Sequence, residues 1–119
     1  MDFENLIKEA QNVLNTNETD KGLATAFFTD KGNIYVRHHK SFDESYAVCT
    51  TLNHMVASED TKVLKTVTVF SGGCLEVPSA WLREFLYELN NDNENTEVLM
   101  PDGKQVRLLR DYRRQEILT

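Results

Sequence analysis

Apolar residues return at three- and four-residue steps at the start of the chain, at Phe3, Leu6, Ile7, Ala10, Val13 and Leu14. The spacing predicts a helix from about Asp2 to Leu14 with one buried stripe. A polar run, Asn15 to Lys21, ends it. Gly22 to Thr29 then reads as a continuous apolar strand, the kind that is buried on both faces. Asp30-Lys31-Gly32-Asn33 is turn chemistry, because glycine supplies the positive φ of a tight reversal, and Ile34 to Val36 leads a returning strand, so a hairpin is expected. Ser41-Phe42-Asp43-Glu44 has the capping-box form and predicts a second helix that ends near Ala57. After the polar break Ser58 to Thr61, Lys62 to Phe70 is rich in Val and Thr, as a core strand should be.

Ser71-Gly72-Gly73-Cys74 opens a loop, and Pro78 suits the first turn of a third helix. Trp81, Leu82, Phe85, Leu86 and Leu89 form its apolar stripe; Trp81 and Phe85, at i and i+4, are read as core, with Tyr87 on another face. Asn90 to Asn95 reads as a solvated loop. Thr96 to Met100 and a strand from about Val106 flank the turn Pro101-Asp102-Gly103, and strands joined so closely must be antiparallel. A last short helix is expected to run to Ile117. The order is α-ββ-α-β-α-ββ-(α), which predicts an α/β fold of three layers, α-β-α, around a five-stranded mixed sheet.

The chain has 119 residues, which fits one domain over residues 1–119. A net charge of −6 opposes contact with phosphate backbones and anionic lipid, so neither nucleic acid nor membrane is expected as a partner. No apolar run approaches the roughly 20 residues of a membrane span. Cys49 and Cys74 are far apart behind a start with no basic or apolar leader, so reduced thiols in the cytoplasm are expected.

With this element order in place, several segments resemble the cytidine deaminase family. Pro78-Ser79-Ala80-Trp81-Leu82-Arg83-Glu84 is similar to the family's P-C-x-x-C-R-Q helix start with both cysteines replaced, Cys49-Thr50-Thr51 is similar to its C-x-E, and Thr96 to Gly103 is similar to its late strand and turn. The resemblance implies a zinc site at two helix starts, with a glutamate that shuttles protons between a metal-bound water and the base. At those positions only Cys49 is retained. Ser79 is a poor neutral ligand, Leu82 is no ligand, and Thr51 has no carboxylate to act as acid or base. In the regions where the family binds ribose, this chain has Lys21 and His38-His39-Lys40-Ser41. The resemblance therefore implies a degenerate, zinc-free member with no cofactor and no catalytic residue among Cys49, Thr51, Ser79 and Leu82. A ligand pocket is expected beside Cys49, Thr51, Cys74, Pro78 and Ser79.

Other constellations are weaker. Adjacent His38 and His39 point to opposite faces of a strand, and Cys49 and His54 sit about 140° apart on a helix, so neither pair chelates well. Cys74 beside two glycines would become chemical if a helix start stabilised its thiolate, but a plain turn explains it as well. The same glycines lack the G-K-S/T of a phosphate loop. Arg107, Arg110, Arg113 and Arg114 read as a solvated helix side. The expectation is a protein that acts by binding a nucleoside-like molecule, a protein partner or copies of itself as a dimer or tetramer. The alternative is an enzyme that reuses Cys74 or Cys49 as a nucleophile, and an active cytidine or blasticidin-type deaminase is the least favoured.

Overall fold

A computed structural model describes residues 1–16, 22–39, 44–71 and 73–111. The capping box at residues 41–44, Lys21, Lys40, Gly72, Arg113, Arg114 and the helix expected to end at Ile117 lie outside the described side chains. The chain runs α1 (Phe3–Thr16), β1 (Leu23–Thr29), β2 (Ile34–His39), α2 (Glu44–Ala57), β3 (Val63–Phe70), β4 (Leu75–Glu76), α3 (Ala80–Leu89), a 3-10 turn (Asn91–Asn95), β5 (Glu97–Leu99) and β6 (Val106–Leu108). The sheet order is β2-β1-β3-β5-β6, with β3 and β5 parallel and every other pair antiparallel. This is the mixed sheet expected from the element order, with a sixth strand: β4 pairs Thr68 and Val69, beyond the short β5 that pairs Lys65 and Thr66.

The central strands β1 and β3 are largely buried because helices cover both faces of the sheet there. Ala24, Ala26, Val67, Val69 and Leu99 pack with Leu6 and Ala10 of α1. Phe27 and Val98 face the other way, into a cluster with Leu52 and Met55 of α2 and Leu82 and Leu86 of α3. The small Ala24 and Ala26 let α1 lie close to β1. The hairpin turn has Gly32 at φ 85°, and Gly103 in the late turn is at 73°, conformations that a β-carbon disfavours. The carboxylate of Asp102 fixes the late turn by accepting from the amides of Lys104 at 2.8 Å and Gln105 at 2.9 Å.

Three expectations need correction. α3 begins at Ala80, after the cap residue Ser79, so Pro78 stands before the helix and not in its first turn. Trp81 is 37% exposed and Phe85 half-buried, whereas Tyr87 is buried. Ten residues of helix bury only one seam, Leu82 and Leu86, and Tyr87 is covered because its hydroxyl donates to the Leu109 carbonyl at 2.6 Å where the chain leaves β6. The supposed solvated loop 90–95 is a 3-10 turn around Asn93, which is 0% exposed. Its amide oxygen accepts from the Val63 N–H at 2.8 Å, and its nitrogen donates to the carbonyls of Leu86 at 2.9 Å and Thr61 at 3.1 Å. One side chain thereby joins α3, β3 and the loop before β3 and satisfies buried backbone groups of all three.

Candidate functional site

The site is built where α2 and the start of α3 meet the sheet. Thr25 on β1 is paired with Arg37 on β2 and with Thr68 on β3, and Thr68 with Glu76 on β4, so these four residues form one row across the sheet. They share the parity of Phe27 and so lie on the face that carries α2 and α3. Thr25 and Thr68 are buried, with their hydroxyl oxygens 3.2 Å apart. Thr66, on the same face, donates to the Ala26 carbonyl at 3.0 Å. A face that would ordinarily be filled by Val and Ile is here lined with hydroxyls, each hydrogen-bonded as buried polar groups require.

Thr51 projects from α2 over this row. It is 3% exposed, and its hydroxyl accepts from the Arg37 Nε at 2.8 Å. Cys49, half-buried, precedes it by two residues on the same helix. At the start of α3, the Ser79 hydroxyl accepts from the Leu82 N–H at 3.1 Å, which satisfies one of the amides that a helix start leaves open. Pro78 is buried, and its carbonyl accepts from the Arg83 guanidinium at 3.1 Å. Leu82 is 0% exposed and belongs to the core with Phe27, Leu52, Met55 and Leu86. Cys74 is exposed in the β3–β4 turn, where its carbonyl accepts from the Phe70 N–H at 2.7 Å.

The structure therefore joins Ser79 to Leu82 at one helix start and Thr51 to Arg37 at another element, and puts Cys74 on the surface. Sequence reasoning missed Arg37, Thr25 and Thr68. The available signal was the Thr-Val alternation of β3 and a lone threonine within the apolar run of β1.

Solved structures with this architecture include cytidine deaminases from three bacteria. The Mycobacterium tuberculosis enzyme superposes with a TM-score of 0.71 at 18% identity, over 94% of this chain and 94% of that one. The Mycobacterium leprae enzyme gives 0.69 at 17% identity over 94% and 97%, and the Bacillus anthracis enzyme 0.70 at 12% over 93% and 86%. The chain has the cytidine deaminase fold. The sequence matches no protein-family model, and no curated protein matches it.

The resemblance expects a zinc ion at two helix starts; Cys49 and Thr51 are instead the sixth and eighth residues of α2, and the side chains at the compared positions do not fit a zinc ion. The Ser79 oxygen is engaged as a helix cap, Leu82 offers only carbon and is packed in the core, and the Thr51 hydroxyl is bound by a guanidinium. A zinc site needs thiolate, imidazole or carboxylate donors, and of these positions only Cys49 has one. Among the described residues no three His, Cys, Asp or Glu side chains are grouped for a metal ion. No helix among them is long and apolar enough to cross a membrane.

A second polar cluster lies at the opposite end of the sheet. Asp60, 1% exposed, accepts from the Asn33 amide at 2.8 Å and from the Tyr35 hydroxyl at 2.9 Å. Burial pushes its carboxyl up, but hydrogen bonds from Asn33, Thr29 and Tyr35 and the charge of Lys31 outweigh burial and hold it below the usual 3.8. The Tyr35 phenol is pushed above 10.0 by burial, and by its bond to Asp60 and that residue's charge, against a smaller opposing effect of Ser58. The Lys31 ammonium donates to the Glu59 carbonyl at 2.6 Å. The cluster fastens the β1–β2 turn to the end of α2 through the Asp60 Oδ2, while the buried Oδ1 of the same carboxylate has no hydrogen-bond partner among the described residues.

Proposed function

We propose that this protein binds a small polar ligand of the nucleoside kind without deaminating it, and does so without zinc. One observation carries the reading: the positions at which the fold's resemblance puts metal ligands and a proton shuttle hold instead a helix cap, a core leucine and a threonine bonded to Arg37. Deamination at a base carbon needs a metal-activated water and a carboxyl group that accepts and returns protons. Neither a buried leucine nor a threonine hydroxyl supplies those. The exposed Arg37 guanidinium, held by Thr51 through its Nε, carries further N–H groups that are donors suited to a sugar or a base edge.

Protein purified from zinc-supplemented growth and incubated with cytidine tests both halves. Chromatography of the mixture is expected to show no uridine, and equilibrium dialysis to show retention of the nucleoside that Arg37→Ala weakens. Uridine formed in proportion to protein would overturn the zinc-free reading. A wild-type protein that retains no cytidine and no uridine would overturn the ligand assignment.

A further inference from the structure

Arg37 is the polar side chain of the candidate site that combines a fixed edge with exposure. It stands on β2, the outermost strand on that side of the described sheet, across from the buried Thr25 of β1. Its Nε donates to the Thr51 hydroxyl at 2.8 Å, while the residue as a whole is exposed. Thr51 is 3% exposed and β-branched, so packing and the few χ1 states open to threonine in a helix hold that hydroxyl in place. A guanidinium is rigid and planar, so a bond at Nε orients the whole group.

The bond at Nε also decides which donors the group offers. A guanidinium can meet two oxygens at once along the edge that includes Nε or along the edge between Nη1 and Nη2. Thr51 takes the first edge, and the second keeps two parallel N–H groups. A sugar hydroxyl presents a single oxygen to that fork. Two oxygens of one phosphate match it fully, in charge-assisted hydrogen bonds roughly twice as strong as neutral ones. Thr51 is itself neutral, so it orients the guanidinium without subtracting from its charge.

We infer that the ligand is a nucleoside monophosphate whose 5′-phosphate is received by the Nη1–Nη2 edge of Arg37, with Thr51 as the positioning residue. The assignment deepens the nucleoside reading of the site and rests on it: in a free nucleoside the same edge meets the neutral 5′-hydroxyl, and the phosphate replaces that contact by two charge-assisted ones. One fork holds one phosphate, and the net charge of −6 opposes a polyanion at long range, so the ligand is a single nucleotide and not a nucleic acid.

Equilibrium dialysis against cytidine, cytidine 5′-monophosphate and inorganic phosphate tests it, with wild type and with Arg37→Ala, Arg37→Lys, Thr51→Val and Thr51→Ser, each checked for native circular dichroism. Wild type is expected to retain the monophosphate on the order of tenfold more tightly than cytidine. Both arginine variants are expected to remove that preference, lysine because it keeps the charge without the fork. Thr51→Val is expected to lower the preference and Thr51→Ser, which keeps a hydroxyl, to restore it. Equal retention of cytidine and its monophosphate by wild type would overturn the phosphate assignment and leave the nucleoside reading standing. Inorganic phosphate held as tightly as the monophosphate would overturn the nucleoside reading, and the nucleotide with it. A preference that survives both arginine variants would overturn the role of Arg37. A loss in Thr51→Val that is equal for cytidine and the monophosphate would make Thr51 merely structural and overturn its positioning role.

Discussion

Leu82→Cys puts back, at one position, the residue type that the cytidine deaminase resemblance expects. The structure predicts that it acts as a core deletion. Leu82 is 0% exposed among Phe27, Leu52, Met55 and Leu86. The exchange removes about two buried carbon groups, worth roughly 1.6 kcal/mol of transfer free energy at about 0.8 each. The partly collapsed space left behind adds a cavity cost, for a total of about 2–3 kcal/mol, at the low end of the range for leucine to alanine. Against a domain stability of about 5–15 kcal/mol this is a clear fall in the urea midpoint at unchanged slope. The assay is urea unfolding in chelator and again in excess zinc. The loss is expected to be the same in both, since Cys49 and one new thiol, with the Ser79 oxygen engaged as a cap, do not make a tetrahedral site. A variant as stable as wild type in chelator would show that position 82 faces open space. Recovery of stability in zinc would show that a metal site persists around it.

Further outcomes follow from the two buried polar anchors. Because the folded-state carboxyl of Asp60 lies below its usual 3.8, its contribution is present above that pH and is lost as pH falls through the folded value. Wild type is therefore expected to be more stable than Asp60→Asn near neutrality, the gap closing in acid; a gap independent of pH would contradict the cluster's charge. Tyr35→Phe removes a hydroxyl bonded to that carboxylate and is expected to cost about 1.5–3 kcal/mol at pH 7 by thermal or urea unfolding, with a loss under 0.5 counting against the bond. Asn93→Ala strands the Val63 N–H and two carbonyls inside the protein and is expected to cost at least about 3 kcal/mol, the same measurement deciding.

Periodicity made most of the fold legible. The helices of Leu6 and Ala10 and of Leu82 and Leu86 declare themselves by spacing, that of Leu52 and Met55 by the capping-box sequence before it, and the two tight turns by their glycines. The pattern fails where structure is made by a distant partner. β4 is two residues long and exists because Thr68 and Val69 offer it an edge. Asn93 looks like one more solvated asparagine because the backbone groups it satisfies lie as far as 32 residues away. Phe85 packs half-buried against the core as its spacing predicts, but Trp81 is exposed, because spacing gives the width of an apolar stripe and not which part of it is covered. At the candidate site the replaced positions Thr51, Ser79 and Leu82 were readable from resemblance. The bond from Arg37 to Thr51 was not, since it joins a strand to a helix 14 residues further on.

We propose that no zinc centre forms where Ser79 caps α3, Leu82 packs in the core and Thr51 of α2 holds Arg37. Metal analysis of freshly purified protein, expressed with zinc and never exposed to chelator, tests it directly. The account predicts far less than one zinc per chain, unchanged by Cys49→Ser. One zinc per chain, lost on that substitution, would contradict it.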